Sequence, residues 1–518
     1  MHHCQGNDEG TSWVRIGHLS YQKWEQQMKK EGVIPRTGID RQKLLEEMRS
    51  YREDDADWRA GRTWSLVYYA GEEHHEFLKE AYSLFFSENG LNPMAFKSLK
   101  RMESEVVRMT ASMLHGDEEV VGTMTSGGTE SILMAVKAAR ERARILKRLP
   151  LRPEIVAPRT IHPAFAKAAH YFGAKMRYVE VGEDFRADPK AMEEAMGPMT
   201  MLVAASAPQY PHGMVDPIEE IAEITAERDI PFHVDACFGG FLLPWVEKLG
   251  YAIPTFDFRV EGVTSMSADC HKYGFAAKGA STVLYRDMSY LRHQFFVEAG
   301  FPGGIYASPT MAGTRPGGAI AAAWAAMKSM GEEGYMELAA RAMEAAKALK
   351  EEVAAIEELE ILGSEHSTIV TFGSRDTEVD IYAVADQMQE RGWALDRQHK
   401  PASLHCTVNA HNGPVIGDFA ADLRDAVDRV RRNPELASEG EAAMYGMMAK
   451  IPVQSAVELS VRKVMEKLYG PDGGDLDLSK VGGDEDDDWM LRLVDRYGEQ
   501  ALEWLDRAAQ WWRRGKSG

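Results

Sequence analysis

Cysteine is scarce. Cys4, Cys237, Cys270 and Cys406 are the four in 518 residues. None forms a C-x-x-C pair, so their spacing suggests neither a zinc site nor a disulfide framework. Simple buried thiols in a reducing compartment are the expectation, with no metal. Long hydrophobic runs are lacking as well. The most apolar window, residues 319–327, is short and rich in alanine, far below the about 20 apolar residues that span a bilayer. The opening MHHCQG has no apolar core of a secretion signal. Positive charge is in deficit: 60 Lys and Arg stand against 80 Asp and Glu, a formal net charge of -20. This argues against a nucleic-acid partner and against unaided binding to anionic membranes. A cytoplasmic protein without a transmembrane segment is expected. Hydrophobic residues make up 44%, which is normal for a soluble globular chain. The length calls for two or three units with large cores.

Against this background, one stretch organises the rest. SMSADCHKYG, residues 265–274, reads as a short apolar strand over 263–267 running into a polar turn. The turn presents His271 and Lys272 together, with Gly274 and Lys278 following. A lysine is a poor nucleophile at neutral pH until its pKa falls. Burial of Lys272 is expected to lower it and to free the amine for Schiff-base chemistry with a carbonyl cofactor. Alone, a His-Lys pair also fits an ordinary surface. The second stretch is TSGGTES, residues 125–131, between an apolar run at 120–124 and a helix expected over 132–146. Gly127, Gly128 and Thr129 there can bring backbone N–H groups and a helix N-terminus to an anion. No Lys-Ser/Thr follows, so this is not a Walker loop; a capped Gly turn fits equally well. The third is HVDACFGG, residues 233–240. Asp235 ends an apolar strand expected over 230–234, at the edge where open parallel sheets bind ligands. A carboxylate there can keep a pyridine nitrogen protonated, or simply cap the next turn.

Order and wording together are more specific. TSGGTESILMAVKAAR, EIVAPRTIHPAFAKAAHYFGA, HVDACFGGFL, SADCHKYGFAAKGASTVLYR and GGIYASPTMAGTRPGG closely resemble the sphingosine-1-phosphate lyases, a branch of the group II pyridoxal phosphate (PLP) decarboxylases. The resemblance runs over residues 61–448. It implies an α/β fold-type I architecture: a large doubly wound, mostly parallel sheet domain and a smaller C-terminal α+β domain. It implies PLP on Lys272, with Ser267 and His271 among the groups around the cofactor. His162 is expected to stack on the cofactor ring. Tyr68, Tyr210 and Tyr445 match active-site tyrosines and are candidate proton carriers. Asn89 matches an active-site position, and Lys278 is a candidate anchor for a phosphate. Many relatives carry His where this chain has Asn92, which brings hydrogen bonds but no charge. The loop holding Ser308 and Thr310 reaches, in relatives, across a dimer interface to the neighbouring cofactor phosphate. A homodimer is therefore expected. The implied reaction cleaves the C2–C3 bond of a phosphorylated sphingoid base, giving a long-chain aldehyde and phosphoethanolamine. The rival is an amino-acid decarboxylase, with Arg315 as the cation available for an α-carboxylate.

The expected organisation follows. Residues 1–92 form a helical arm and an active-site segment, with Asp40 capping a helix that carries Leu44, Leu45 and Met48 on one face. Residues 93–330 are the PLP domain and 331–450 the small domain, joined by a long helix over 319–356. Strands are expected at 155–157, 177–181, 201–205, 230–234 and 282–285, then at 368–372, 394–397 and 405–409, with small-domain helices at 381–391 and 416–431. Residues 451–518 are read as an extension. It holds an acidic run at 484–488 and an amphipathic helix over 489–514, which either docks on the body or makes weak contact with a partner or membrane surface.

Overall fold

The computed structural model describes residues 34–53, 55–147, 152–363 and 365–438, with scattered positions between 440 and 470. Cys4, the acidic run at 484–488 and the expected helix over 489–514 lie outside the described residues. The chain divides into two units, Met1–Ala56 and Asp57–Gly518. In the first, Asp40 caps the helix Arg41–Ser50, accepting bonds from the amides of Gln42 and Lys43. Such a cap satisfies helix N–H groups that otherwise lack partners. Leu44, Leu45 and Met48 are exposed.

The second unit is built on a sheet of seven strands: β1 (Val121–Thr125), β2 (Glu154–Pro158), β3 (Lys175–Val179), β4 (Thr200–Ser206), β5 (Phe232–Asp235), β6 (Ser265–Ala268) and β7 (Ser281–Tyr285). Their spatial order is β1-β7-β6-β5-β4-β2-β3. β3, β2, β4, β5 and β6 run parallel, while β7 lies antiparallel to both β6 and β1. β4 is buried at every residue, as expected for a parallel strand covered by helices on both faces. β1 approaches β7 closely because Gly122 has no side chain; a Cβ there would lie 2.3 Å from the Val283 carbonyl. The expected strand at 177–181 begins two residues earlier. This edge strand alternates between exposed and partly buried positions, so its apolar signal is diluted.

A two-stranded hairpin follows, β8 (Phe296–Glu298) with β9 (Tyr306–Ser308). The helix Gly317–Ala354 then leads onward, broken at Gly331, whose φ of 58° lies in the left-handed region. The small sheet comprises β10 (Leu359–Ile361), β11 (Ile369–Ser374), β12 (Asp396–His399) and β13 (Ala402–Thr407), in the antiparallel order β10-β11-β13-β12. β12 and β13 form a tight hairpin that places Asp396 opposite His405. The sequence expectation put these strands at 394–397 and 405–409 and so missed that pairing. Trp64, Trp393, Phe372 and Phe419 fill the core beneath this sheet. Trp64 and Trp393 each meet Phe419 edge to face. Trp64 comes from far upstream: its amide donates to Ala394 and its carbonyl accepts from Thr407. Residues near the start of the second unit are thereby woven into its last sheet. Among the described residues no helix is long and apolar enough to cross a membrane.

Candidate active site

Parallel strands deliver their C-terminal ends to one edge of the sheet. Here that edge carries Ser206, Asp235 and Ala268, the last residues of β4, β5 and β6. Asp235 pairs in register with Ser267. Its Oδ1 accepts the Ser267 hydroxyl at 3.2 Å and the Cys237 amide at 3.1 Å, so the carboxylate is fixed from below. Beneath it, His233 lies between the hydroxyls of Ser265 and Ser267. Burial pushes its pKa down to about 4, which keeps the ring neutral.

After β6 the chain makes one turn, in which the Lys272 amide bonds the Asp269 carbonyl. The turn folds Lys272 back so that its Nζ sits 2.9 Å from Asp269 Oδ2. The side chains are 26% and 1% exposed respectively. This corrects the expectation that burial lowers the pKa of Lys272. Burial, the largest single effect, opposes the ammonium, but the Asp269 carboxylate together with the neighbouring Cys237 and Tyr68 outweighs it and the pKa is raised. Burial likewise opposes the Asp269 charge, yet Lys272 and His271 hold its pKa below the usual carboxylate value. His271 Nε2 lies 3.6 Å from the same oxygen. Its Nδ1 accepts from the Ala280 amide, and burial pushes its pKa down to about 4. Asp269 was not singled out from the sequence. Its only signal was its place three residues before Lys272, one turn away.

Gly127 and Gly128 close the site from the side, where Gly128 opens the helix Gly128–Lys147. A Cβ on Gly128 would lie 2.7 Å from Cys237 Sγ and 2.9 Å from Asp269 Oδ2; one on Gly127 would lie 3.3 Å from His271. Only glycine allows the helix N-terminus so near the Lys272 turn. Thr129 is exposed beside them. Glu130 ties the loop down, accepting from the amide and hydroxyl of Ser126 and from the Met311 amide. His162, exposed, turns its Nδ1 to the Ala164 amide.

Three tyrosines were expected here. Tyr68 packs edge to face on Tyr273 at 5.0 Å, and burial raises its pKa while Lys272 opposes the rise. Lys278 Nζ lies 5.1 Å over the Tyr68 ring and donates to the Leu66 carbonyl at 2.6 Å. Burial and the Lys272 charge push the pKa of Lys278 down to about 8. Tyr210 stacks on His405 at 4.1 Å and donates its hydroxyl to Asp396 at 2.6 Å. Tyr445 lies against Tyr382 and the Arg397 guanidinium in the small-sheet region, and no described contact joins it to Lys272.

Other expected residues stand apart within one chain. Asn89 Oδ1 accepts from the Leu91 amide, and Asn92 Oδ1 from the amides of Met94 and Ala95. Asn92 thus spends its carbonyl on a turn. Ser308 and Thr310 are buried, with their hydroxyls bonded to carbonyls of their own loop. Arg315 binds both oxygens of Glu103 and the Gly90 carbonyl.

The donor set fits PLP. An amine, a carboxylate fixed at a strand end, an exposed imidazole and an unobstructed helix N-terminus converge on one edge. Asp269 Oδ1, buried, has no hydrogen-bond partner. No cluster suited to a metal occurs among the described residues. Cys237, Cys270 and Cys406 are buried free thiols.

Comparison with known proteins agrees. Residues 61–375 match the pyridoxal-dependent decarboxylase conserved domain. The chain is 44% identical to the sphingosine-1-phosphate lyase of Arabidopsis thaliana, over 85% of this chain and 81% of that protein. It is 42% identical to sphingosine-1-phosphate lyase 1 of Rattus norvegicus, over 85% and 77%. The structure of the sphingosine-1-phosphate lyase of Burkholderia pseudomallei superposes with a TM-score of 0.77 at 38% identity, over 85% of this chain and 97% of that one.

Proposed function

The chain belongs to the pyridoxal-dependent decarboxylase family, in the branch of the sphingosine-1-phosphate lyases, and from that premise we propose that it cleaves the C2–C3 bond of a sphingoid-base phosphate. The products are a long-chain aldehyde and phosphoethanolamine. The carrying observation is the Lys272 amine held 2.9 Å from Asp269 beside the Gly127–Gly128 helix N-terminus.

PLP, when bound, supplies the electron sink that accepts the electron pair of the breaking bond. The residues divide the remaining work. Lys272 is the amine that holds the cofactor. Asp235, fixed by Ser267 and Cys237, would keep a proton at the cofactor's ring nitrogen, and the exposed His162 would cover the ring. The amides of Gly127, Gly128 and Thr129 would hold the cofactor phosphate at the helix N-terminus. Ser267 fixes Asp235, and His271 braces the Lys272 turn through Asp269 and Ala280. Tyr68, beside Lys272, and Tyr210, beside Tyr68, are the proton carriers, and Tyr445 is a third on the small sheet side. Lys278, over the Tyr68 ring, anchors the substrate phosphate.

The decarboxylase alternative needs a free cation for an α-carboxylate. Arg315 is spent on Glu103, which favours the lyase. A homodimer completes the reading. The exposed apolar side chains Phe296, Val297, Phe301 and Ile305 crowd the β8–β9 hairpin, and a second copy covers them and sets the loop of Ser308 and Thr310, whose hydroxyls are bonded within that loop in one chain, at its neighbour's site. The unpaired thiols suit a reducing cytoplasm. Product analysis by mass spectrometry tests the function, with sphingosine 1-phosphate and a panel of amino acids as substrates. Long-chain aldehyde must appear, and borohydride must fix PLP to the peptide of Lys272. A colourless Lys272→Ala that still cleaves substrate would overturn the assignment.

A further inference from the structure

Asp396 is a half-buried carboxylate on the edge strand β12 of the small sheet. Its described hydrogen bond is the Tyr210 hydroxyl at 2.6 Å, and no ion pair to it is found among the described residues. The groups facing it are Tyr68, Tyr210, His405 and Cys406, and each feels its charge. None supplies a compensating cation. His405 bonds the hydroxyls of Thr371 and Thr407, and burial pushes its pKa down to about 4, so it is neutral. Arg397, the next residue, turns away to Asp386 and Gln389.

Hydrogen-bond bookkeeping then decides what Tyr210 can do. An ionised carboxylate only accepts, and a phenol has one proton. With that proton given to Asp396, the Tyr210 oxygen has only acceptor capacity left. His405, stacked on the ring at 4.1 Å, holds its plane. Burial and the Asp396 charge raise the pKa of Tyr210, so a free tyrosinate is disfavoured. The phenol can still take a proton if it passes its own onward.

We propose that Asp396 is a positioning residue that makes Tyr210 the acceptor of the substrate's 3-hydroxyl proton. The inference rests on the lyase reading. The hydroxyl proton moves to the Tyr210 oxygen as the Tyr210 proton moves to Asp396. The hydroxyl oxygen's electron pair becomes the carbonyl π bond of the aldehyde. The C2–C3 bond breaks, and its electron pair leaves toward C2. Asp396 returns its proton through Tyr210 when C2 is protonated, which resets the pair. The relay joins the two sheets: Tyr210 follows β4 and Asp396 lies on β12.

The test uses the PLP-loaded enzyme and Asp396→Asn, whose carbonyl still accepts the Tyr210 hydroxyl but cannot take its proton. Cofactor absorbance should match wild type, KM should stay within about twofold, and kcat should fall roughly ten- to a hundredfold, in the range of a lost acid–base group. A proton inventory in mixed light and heavy water should change from two protons in flight to one. Asp396→Glu should keep two. One readout needs no substrate: the tyrosinate absorbance difference between wild type and Tyr210→Phe should titrate at lower pH when Asp396→Asn is added to both. If wild type forms no aldehyde from sphingosine 1-phosphate but this titration shifts, the lyase reading fails and the positioning of Tyr210 stands. Wild-type kcat with a two-proton inventory in Asp396→Asn would overturn the proposal, as would an unmoved titration.

Discussion

Asp269→Asn isolates what holds Lys272 charged before cofactor binds. The wild-type N–O distance is 2.9 Å, with Lys272 26% and Asp269 1% exposed. Coulomb's law at an effective dielectric of about 20 gives an attraction on the order of 5 kcal/mol. At about 1.4 kcal/mol per pKa unit, removing it lowers the Lys272 pKa by roughly four units at most. The burial that opposes the ammonium remains, so Lys272 in the variant should titrate below an ordinary lysine. Asparagine matches the shape, which matters because Gly128 and His271 crowd this carboxylate. The assay is the second-order rate of PLP capture by cofactor-free protein as a function of pH, followed by visible absorbance. Wild type should speed up toward the alkaline end of the range. The variant should reach its plateau about two or three pH units earlier. Lys278, pushed down to about 8 in part by the Lys272 charge, must not be mistaken for it. The pair is therefore compared in a Lys278→Met background. An unchanged inflection would refute the claim that Asp269 sets the charge of Lys272.

Gly128→Ala should weaken PLP binding at least tenfold in equilibrium titration, because the new Cβ would lie 2.7 Å from Cys237 Sγ and 2.9 Å from Asp269. Wild-type affinity would show that the helix N-terminus is not packed against this turn. Acid should destabilise the fold through His233. Its unfolded pKa is about 6.5 and its folded pKa is pushed down to about 4 by burial. Its contribution is therefore fully present above pH 6.5 and is lost as pH falls toward 4, roughly 3 kcal/mol across the window. His233→Gln should flatten the urea midpoint between pH 7 and 4; an equally steep fall would place the acid lability elsewhere.

The motifs around Lys272, Asp235, Gly127 and Gly128 were legible only together. Each alone also fits a surface pair, a turn-capping Asp or a capped Gly turn, and their order and wording carried the reading. The alternation of strands and helices likewise announced the mostly parallel sheet. What sequence could not order was partnership across distance. β1 and β7 are antiparallel neighbours although they are far apart in the chain. Trp64 belongs to the core beneath a sheet that begins at Leu359. The sign of the Lys272 shift was misread for another reason, since Asp269 is only three residues upstream. Local reasoning sees burial, whereas the turn that carries Asp269 back onto the amine is a matter of geometry. Asp396 had no sequence signal at all: an acidic residue on an edge strand looks like solvent-facing surface. Composition and spacing thus determined the chemistry available to this chain. Packing alone decided which carboxylate meets which proton, as in the 2.6 Å contact between Tyr210, after β4, and Asp396, on β12, which lie far apart in the chain.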